Sequence, residues 1–173
     1  ERHLLEGIRQ ERELMAQVRG VADRVYDTSR WNVHDARSQV FEDFASTGSQ
    51  LPLVSVVSFG FKHGIPAGTD LLFDVRFLPN PYFVSELKPQ SGKNAAVRHY
   101  LEDVPDYGQL LDHLEGFLQF TLPRYQAENR AYVSVAIGCT GGRHRSVAVA
   151  EELARRLADE GWASRVLHRD IDL

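Results

Sequence analysis

Apolar residues recur along this chain with two periods, three to four residues and two, and the switches between them mark its elements. Residues 3–19 place Leu4, Leu5, Ile8, Met15 and Val18 among many charges, the spacing of an amphipathic helix with a broad polar face. Val21 to Tyr26 reads as a short strand, Asp27, Thr28 and Ser29 as a turn, and Asn32 or Thr28 as the cap of a helix over Val33–Phe44. Small and polar residues from Ser46 to Gln50 interrupt the pattern. The expected division is therefore residues 1–46, a linker at 47–52 and a main domain at 53–173.

Within the main domain, Leu53–Phe61 and Leu71–Phe77 read as strands. Period two puts Asp74 and Arg76 on one face of the second strand, opposite Phe73 and Val75, where two charges need partners, as in an internal structural ion pair, or a ligand. Leu78–Phe83, with two prolines, predicts irregular chain, and Lys88–Lys93 a polar loop. A helical turn over Ala95–Tyr100 precedes a long helix over Tyr107–Tyr125. Its stripe is Leu110, Leu111, Leu114, Phe117, Leu118 and Leu122, and Pro123 is expected to kink or end it. Glu128–Arg130 turns into a strand from Tyr132, which runs through a glycine-rich loop into a helix over Ser146–Leu157. Gly161 suits the position just past that helix, and Trp162–Leu167 is a last strand. Alternating strands and helices predict an α/β fold with a mixed, partly parallel sheet, whose ligands bind beyond the carboxyl ends of the strands.

Composition adds limits. At 173 residues, 43% of them hydrophobic, the chain has the material for one full domain and a small appendage. A net charge of −4 gives no global nucleic-acid signature. Arg143, Arg145, Arg155, Arg156, Arg165 and Arg169 still crowd the end of the chain as a candidate basic patch, with Arg143, Arg165 and Arg169 as candidate RNA contacts. A single cysteine excludes an internal disulfide and suits a reducing cytoplasm. One cysteine and scattered histidines supply no metal-ligand cluster. No apolar run approaches the roughly 18–20 residues of a membrane span. A start at Glu1, without Met and inside a charged helical pattern, is expected of a piece of a longer protein.

The chemistry concentrates in Cys139-Thr140-Gly141-Gly142-Arg143-His144-Arg145-Ser146, the pattern C-x5-R-[ST] between a strand and a helix. That spacing curls the backbone so that N–H groups converge on an oxyanion at a helix N-terminus. Gly141 and Gly142 permit positive φ and close approach, and Arg145 is placed to clamp two oxygens. The same parts serve cysteine phosphatases, with Cys139 as nucleophile, Arg145 steadying the phosphoryl oxygens and Asp74 or Asp70 as general acid. A phosphate cradle without catalysis uses the loop equally well. The histidine customary before such a cysteine is Gly138 here.

Three stretches, Ser58–Pro66 (SFGFKHGIP), Phe73–Pro81 (FDVRFLPNP) and Ala136–Ser146 (AIGCTGGRHRS), resemble the C-terminal domain of the RapZ/YvcJ family, bacterial nucleotide-binding proteins that include an RNase adapter. The resemblance covers about residues 53–169. In front of it, Arg2-His3, the ERE-L run at Glu11–Leu14, Asp27–Ser29 and Asn32–Asp35 are similar to the end of the family's P-loop NTPase domain. The resemblance implies a fold like a phosphofructokinase subdomain. It also implies a cytoplasmic, homo-oligomeric regulator that senses glucosamine-6-phosphate and is linked to a small RNA, an RNase and a two-component system. It carries ligand roles onto Lys62, Asp74, Arg76, Cys139, Thr140, Gly141, Gly142, His144, Arg145 and the adjoining Ser146, with Asp74 suited to a sugar ammonium. Tyr82 stands where the family has a histidine facing the sugar. ATP or GTP is implied for the N-terminal domain; without a Walker A loop this chain alone is expected to hydrolyse neither. An RNA-adapter role without a small ligand is the further alternative, although acids in Asp170–Leu173 replace a lysine- and arginine-rich tail.

Overall fold

A computed structural model describes residues 2–44 and 51–173, and the chain divides into two compact units, Glu1–Ala45 and Ser46–Leu173. The expected linker falls at 47–52, of which 47–50 lie outside the described residues.

The first unit holds helix α1 (Arg2–Val21) and helix α2 (Val33–Phe44). Val21 to Tyr26 forms no strand: Val21 closes α1, and the residues after it pair with no ladder among the described residues. Side chains take that role instead. The Tyr26 hydroxyl donates to Asp43 at 2.5 Å, Arg24 pairs with Asp43 at 2.7 Å, and the Tyr26 and Trp31 rings meet at 5.8 Å. Asn32, not Thr28, caps α2. Its Oδ1 accepts the Asp35 N–H at 2.9 Å while Asp35 accepts the Asn32 N–H at 3.1 Å, a reciprocal capping box.

The second unit is built on a four-stranded sheet of β1 (Leu53–Gly60), β2 (Leu71–Asp74), β3 (Tyr132–Cys139) and β4 (Ser164–His168), in spatial order β2-β3-β1-β4. The α/β fold with flanking helices is as expected, and its sheet is parallel at every pairing. β1 is buried at seven of its eight positions, the continuous apolar run that central parallel strands show. Helices α3 (Ala95–Glu102), α4 (Pro105–Ala127) and α5 (Arg145–Asp159) complete the unit. Val54, Val56, Val133, Val135 and Ile137 pack in one core with Leu111, Leu118 and Leu122 of α4 and Leu153 and Leu157 of α5.

Three local expectations are corrected. β2 stops at Asp74, three residues early, because the Asp74 carboxylate accepts the Arg76 N–H at 2.9 Å and folds the chain into a turn. Asp74 and Arg76 therefore never share a strand face; they pair with each other at 2.6 Å, about half exposed. α4 runs through Pro123 to Ala127. Pro123 and Gln119 both lie on the exposed side of the helix, where the carbonyl that the missing N–H leaves free is not buried in the core. Phe117 is not inward: it is 43% exposed and meets Phe73 edge-on at 5.9 Å. The end of α5 follows expectation. Gly161 has φ +89°, and the Trp162 N–H reaches Leu157 O at 3.0 Å, closing a Schellman turn.

Candidate functional site

The carboxyl ends of β1, β2 and β3 open on a cavity of about 310 Å³. Its floor is the loop between β3 and α5, through Cys139, Thr140, Gly141, Arg143, His144 and Arg145. Lys62, in a 3-10 turn after β1, and Asn80, Tyr82 and Lys88, after β2, form its walls with Leu173.

Glycine at three positions is what lets the loop sit there. Gly142 has φ +81°, and a Cβ on it would lie 2.6 Å from Gly60 N and 2.8 Å from Asp170 Cβ. A Cβ on Gly60 would strike Gly141 C at 2.6 Å, and one on Gly138 would strike the Phe59 and Phe61 rings at 2.6 Å. No histidine can precede Cys139 in this packing. Gly141 does not have positive φ; a Cβ there would meet only Lys62 Cε at 3.9 Å.

The loop leaves donors free. Among the described residues, the backbone N–H groups of Thr140, Gly141, Arg143 and His144 have no protein acceptor, whereas Gly142 N–H donates to Cys139 Sγ at 3.2 Å. They sit at the N-terminal end of α5, where the helix dipole favours negative charge. Cys139 is buried, and its Sγ shares a hydrogen bond with Ser146 Oγ at 3.1 Å.

Arg145, expected as a clamp on the ligand, is bonded to protein groups. It is 5% exposed, and its Nη1 donates to Arg76 O at 2.7 Å and Leu78 O at 2.9 Å. Nη2 donates to Thr140 Oγ1 at 3.2 Å. The guanidinium thus clasps the segment after β2 to the loop, because two backbone carbonyls reach it first. Its Nε is buried without a partner. Arg143 is likewise engaged, donating to Pro89 O, Gln90 O and Ile171 O. His144 is 7% exposed with Nε2 unpartnered. Burial lowers its pKa; the nearby carbonyls of Leu87, Lys88 and Gln90 oppose that without forming a hydrogen bond to the ring.

Lys62 and Lys88 are the cations left over. Neither faces a carboxylate among the described residues; Lys88 Nζ lies 4.5 Å from the Tyr82 ring centroid. No acidic side chain is among the lining residues of the cavity. Asp74 and Arg76 do not line it, and Gly142 and Ser146 stand behind the lining. The pKa of Asp74 is lowered by its hydrogen bonds to Arg76, so this carboxyl is ionised where a general acid needs a proton. Asp70 is tied to Arg130 at 3.1 Å and to the Ser134 N–H at 2.9 Å.

The basic patch disperses on folding. Arg155 and Arg156 pair with Glu152, Asp159, Asp112 and Glu115. Arg165 lies on β4 with its Nε near Ser55 Oγ. Arg169 forms a two-pronged pair with the buried Asp170, whose Oδ2 also accepts the Gly60 N–H at 2.7 Å. Asp170, Asn80 and Lys88 are site residues that the sequence reading did not single out; of these only Lys88, in a polar loop, carried a local signal.

Asp170 gives the fold a pH dependence. Its pKa is lowered, first by Arg169 and then by burial-opposed bonding to Gly60 N–H. A lowered folded pKa means stabilisation present above the unfolded value, about 3.8, and lost as pH falls through the folded one. Asp170→Asn is expected to cost about 2 kcal/mol at neutral pH. It should also flatten the acid limb of urea-unfolding curves below that value. An unchanged acid limb would assign it to other carboxylates.

Over residues 52–172 the chain matches the RapZ C-terminal domain. A nucleotide-binding protein of Trichlorobacter lovleyi is 49% identical over 168 residues, 96% of this chain and 59% of its own length. Nucleotide-binding proteins of Corynebacterium jeikeium and Streptomyces coelicolor are each 46% identical, over 98% and 97% of this chain and 58% and 56% of theirs. The chain spans less than two thirds of the length of these curated relatives. Among the described residues no helix is long and apolar enough to cross a membrane.

Proposed function

The chain belongs to the RapZ C-terminal domain family, and on that premise we propose that residues 53–173 are a metabolite-sensing domain for a phosphorylated sugar. The glucosamine-6-phosphate implied by the resemblance is the reference ligand. One observation carries the reading: four acceptor-free N–H groups, two lysines without carboxylate partners, and His144 and Arg145 with their unpartnered Nε2 and Nε meet at one cavity that no acidic side chain lines. The phosphate rests on the Thr140–His144 amides, Lys62 neutralises it, and the sugar lies toward Asn80 and Tyr82. Asp74, already paired with Arg76, does not supply the counter-charge for an ammonium.

In the longer protein this sensor reports to a cytoplasmic, homo-oligomeric regulator. ATP or GTP binds in the part that precedes residues 1–46, themselves the end of a P-loop domain, and a small RNA, an RNase or a two-component protein receives the signal. Arg143 and Arg169 are held internally, which favours the sensor over an adapter working without a small ligand. The absence of an available acid beside Cys139 disfavours the phosphatase.

A thermal-shift panel of sugar phosphates and nucleotide sugars tests the proposal. A ligand at about a hundred times its Kd should stabilise the domain by about 2.7 kcal/mol, with glucosamine giving nothing and Lys62→Gln reducing the shift. No shift with any phosphorylated compound would sink the reading.

A further inference from the structure

Of the arginines described in the second unit, only Arg145 is buried. Arg98, Arg124 and Arg165 also pair with no carboxylate, but they keep access to water. Arg145 is bonded to two backbone carbonyls and the Thr140 hydroxyl, and its Nε has no partner. Asp74 lies within electrostatic reach of it and is bonded at both carboxylate oxygens to Arg76. A charge buried on neutral partners alone is costly. An anion resting on the loop amides, at whose edge Thr140 stands, offsets that cost. The charge of Arg145 is therefore better compensated in the occupied cavity than in the empty one.

What Arg145 holds on its other side is a piece of surface. The carbonyls of Arg76 and Leu78 flank Phe77, which is 61% exposed, and the segment runs on to Phe83, 83% exposed. Among the described residues, the other hydrogen bonds of residues 76–83 are local. The Arg76 N–H donates to Asp74, the Leu78 N–H to Val75 O, and the Tyr82 and Phe83 N–H groups to Asn80. Leu78 and Pro81 are buried, so the segment has apolar anchors, but its hydrogen bonds to the rest of the unit run through one guanidinium. We propose that Arg145 carries the occupancy of the cavity to the surface: an anion on the Thr140–His144 amides tightens its hold on the Arg76 and Leu78 carbonyls, so that residues 76–83, with Phe77 and Phe83 exposed, are more firmly ordered in the occupied state. This inference rests on the sugar-phosphate reading and adds to it the face at which the signal leaves the cavity. It holds whichever sugar carries the phosphate. Linkage makes it reciprocal: a change that loosens residues 76–83 weakens phosphate binding by the same factor.

Amide hydrogen exchange of this chain, with and without glucosamine-6-phosphate, tests it. The Arg76 and Leu78 amides are expected to exchange roughly tenfold more slowly at saturation, the worth of one charge-assisted contact. The Glu160 and Gly161 amides, in the turn at the far end of α5, report general stabilisation and should change less. Two further arms separate passage through Arg145 from direct contact of the sugar with Asn80 and Tyr82. Inorganic phosphate carries no sugar; at constant ionic strength, and at a concentration that shifts the loop amides equally, it should slow the same two amides. Arg145→Lys keeps the charge and loses the fork; it should bind more weakly and show no slowing at saturation. Either arm decides alone where the other cannot be run. Saturable binding that leaves residues 76–83 unchanged, slowing by the sugar phosphate but not by inorganic phosphate, or slowing retained in Arg145→Lys would overturn the route through Arg145. Each of these leaves the sugar-phosphate reading standing. No binding by any phosphorylated compound would remove that reading, and this inference with it.

Discussion

Replacing Gly92 by alanine is expected to cost the domain about 3 kcal/mol, at the upper end for overpacking, and to disable the cavity. A Cβ on Gly92 would lie 2.2 Å from His144 O and 2.5 Å from Ala148 N. Those two atoms are hydrogen-bonded to each other at 3.0 Å, the bond that starts α5. The added methyl thus wedges into the first turn of the helix whose N-terminus forms the cradle. Backbone atoms cannot swing aside as a side-chain tip can. Gly92 also donates its N–H to Arg143 O at 2.9 Å, so moving the segment away to relieve the clash breaks a second link to the loop. Gly116→Ala is the matched control. It lies inside α4 with nothing within 4 Å of its Cβ position, and alanine there should stabilise by roughly 0.5–1 kcal/mol. Urea unfolding of both variants reads the difference. Wild-type stability in Gly92→Ala would show that the 88–93 segment does not lie against α5 as described.

Arg145→Ala should be nearly as damaging, about 3–4 kcal/mol. The side chain is buried, and its removal strands the carbonyls of Arg76 and Leu78, the Thr140 hydroxyl and a guanidinium-sized void. Lysine cannot rescue it fully, since one ammonium does not reproduce the planar fork that spans both carbonyls. The distinction matters for function. A clamp that only grips ligand would lose affinity and keep its stability. A clasp loses both, because the segment bearing Asn80 and Tyr82 comes adrift from the loop. A loss of less than about 1 kcal/mol in urea unfolding, together with abolished binding, would restore the clamp. Lys62→Gln, at an exposed position, is the cleaner probe of ligand contact.

How far the sequence carries this can be judged residue by residue. The stretch from Tyr132 to Leu157 was legible because strand, glycine loop and helix are contiguous, and their periods and caps are local. An ion pair of Asp74 with Arg76 was among the readings, but the turn that makes it was hidden for a local reason as well: period two treats the chain as straight, whereas an aspartate can accept the N–H two residues on and end the strand. Arg145 was legible as a residue of the loop, and its protein partners were not. Spacing brings it to the loop, but the carbonyls it meets are 67 and 69 residues away. Gly92 lies 52 residues from His144 in sequence, and nothing in its polar loop announces that it touches a helix. Asp170 resembled an acidic tail residue and proves to be a buried bolt between Arg169 and the Gly60 N–H. In each case the missing information is a through-space contact between segments whose own patterns are ordinary.

The most direct measurement of the cradle is an amide proton–nitrogen NMR titration with a sugar phosphate. The four acceptor-free N–H groups of Thr140, Gly141, Arg143 and His144 should acquire an acceptor, and their resonances should shift downfield together, saturating with one dissociation constant. The Gly142 amide, already committed to Cys139 Sγ, should move less. Saturable shifts confined to amides outside residues 139–145, or no shift at millimolar ligand, would contradict a phosphate site on this loop.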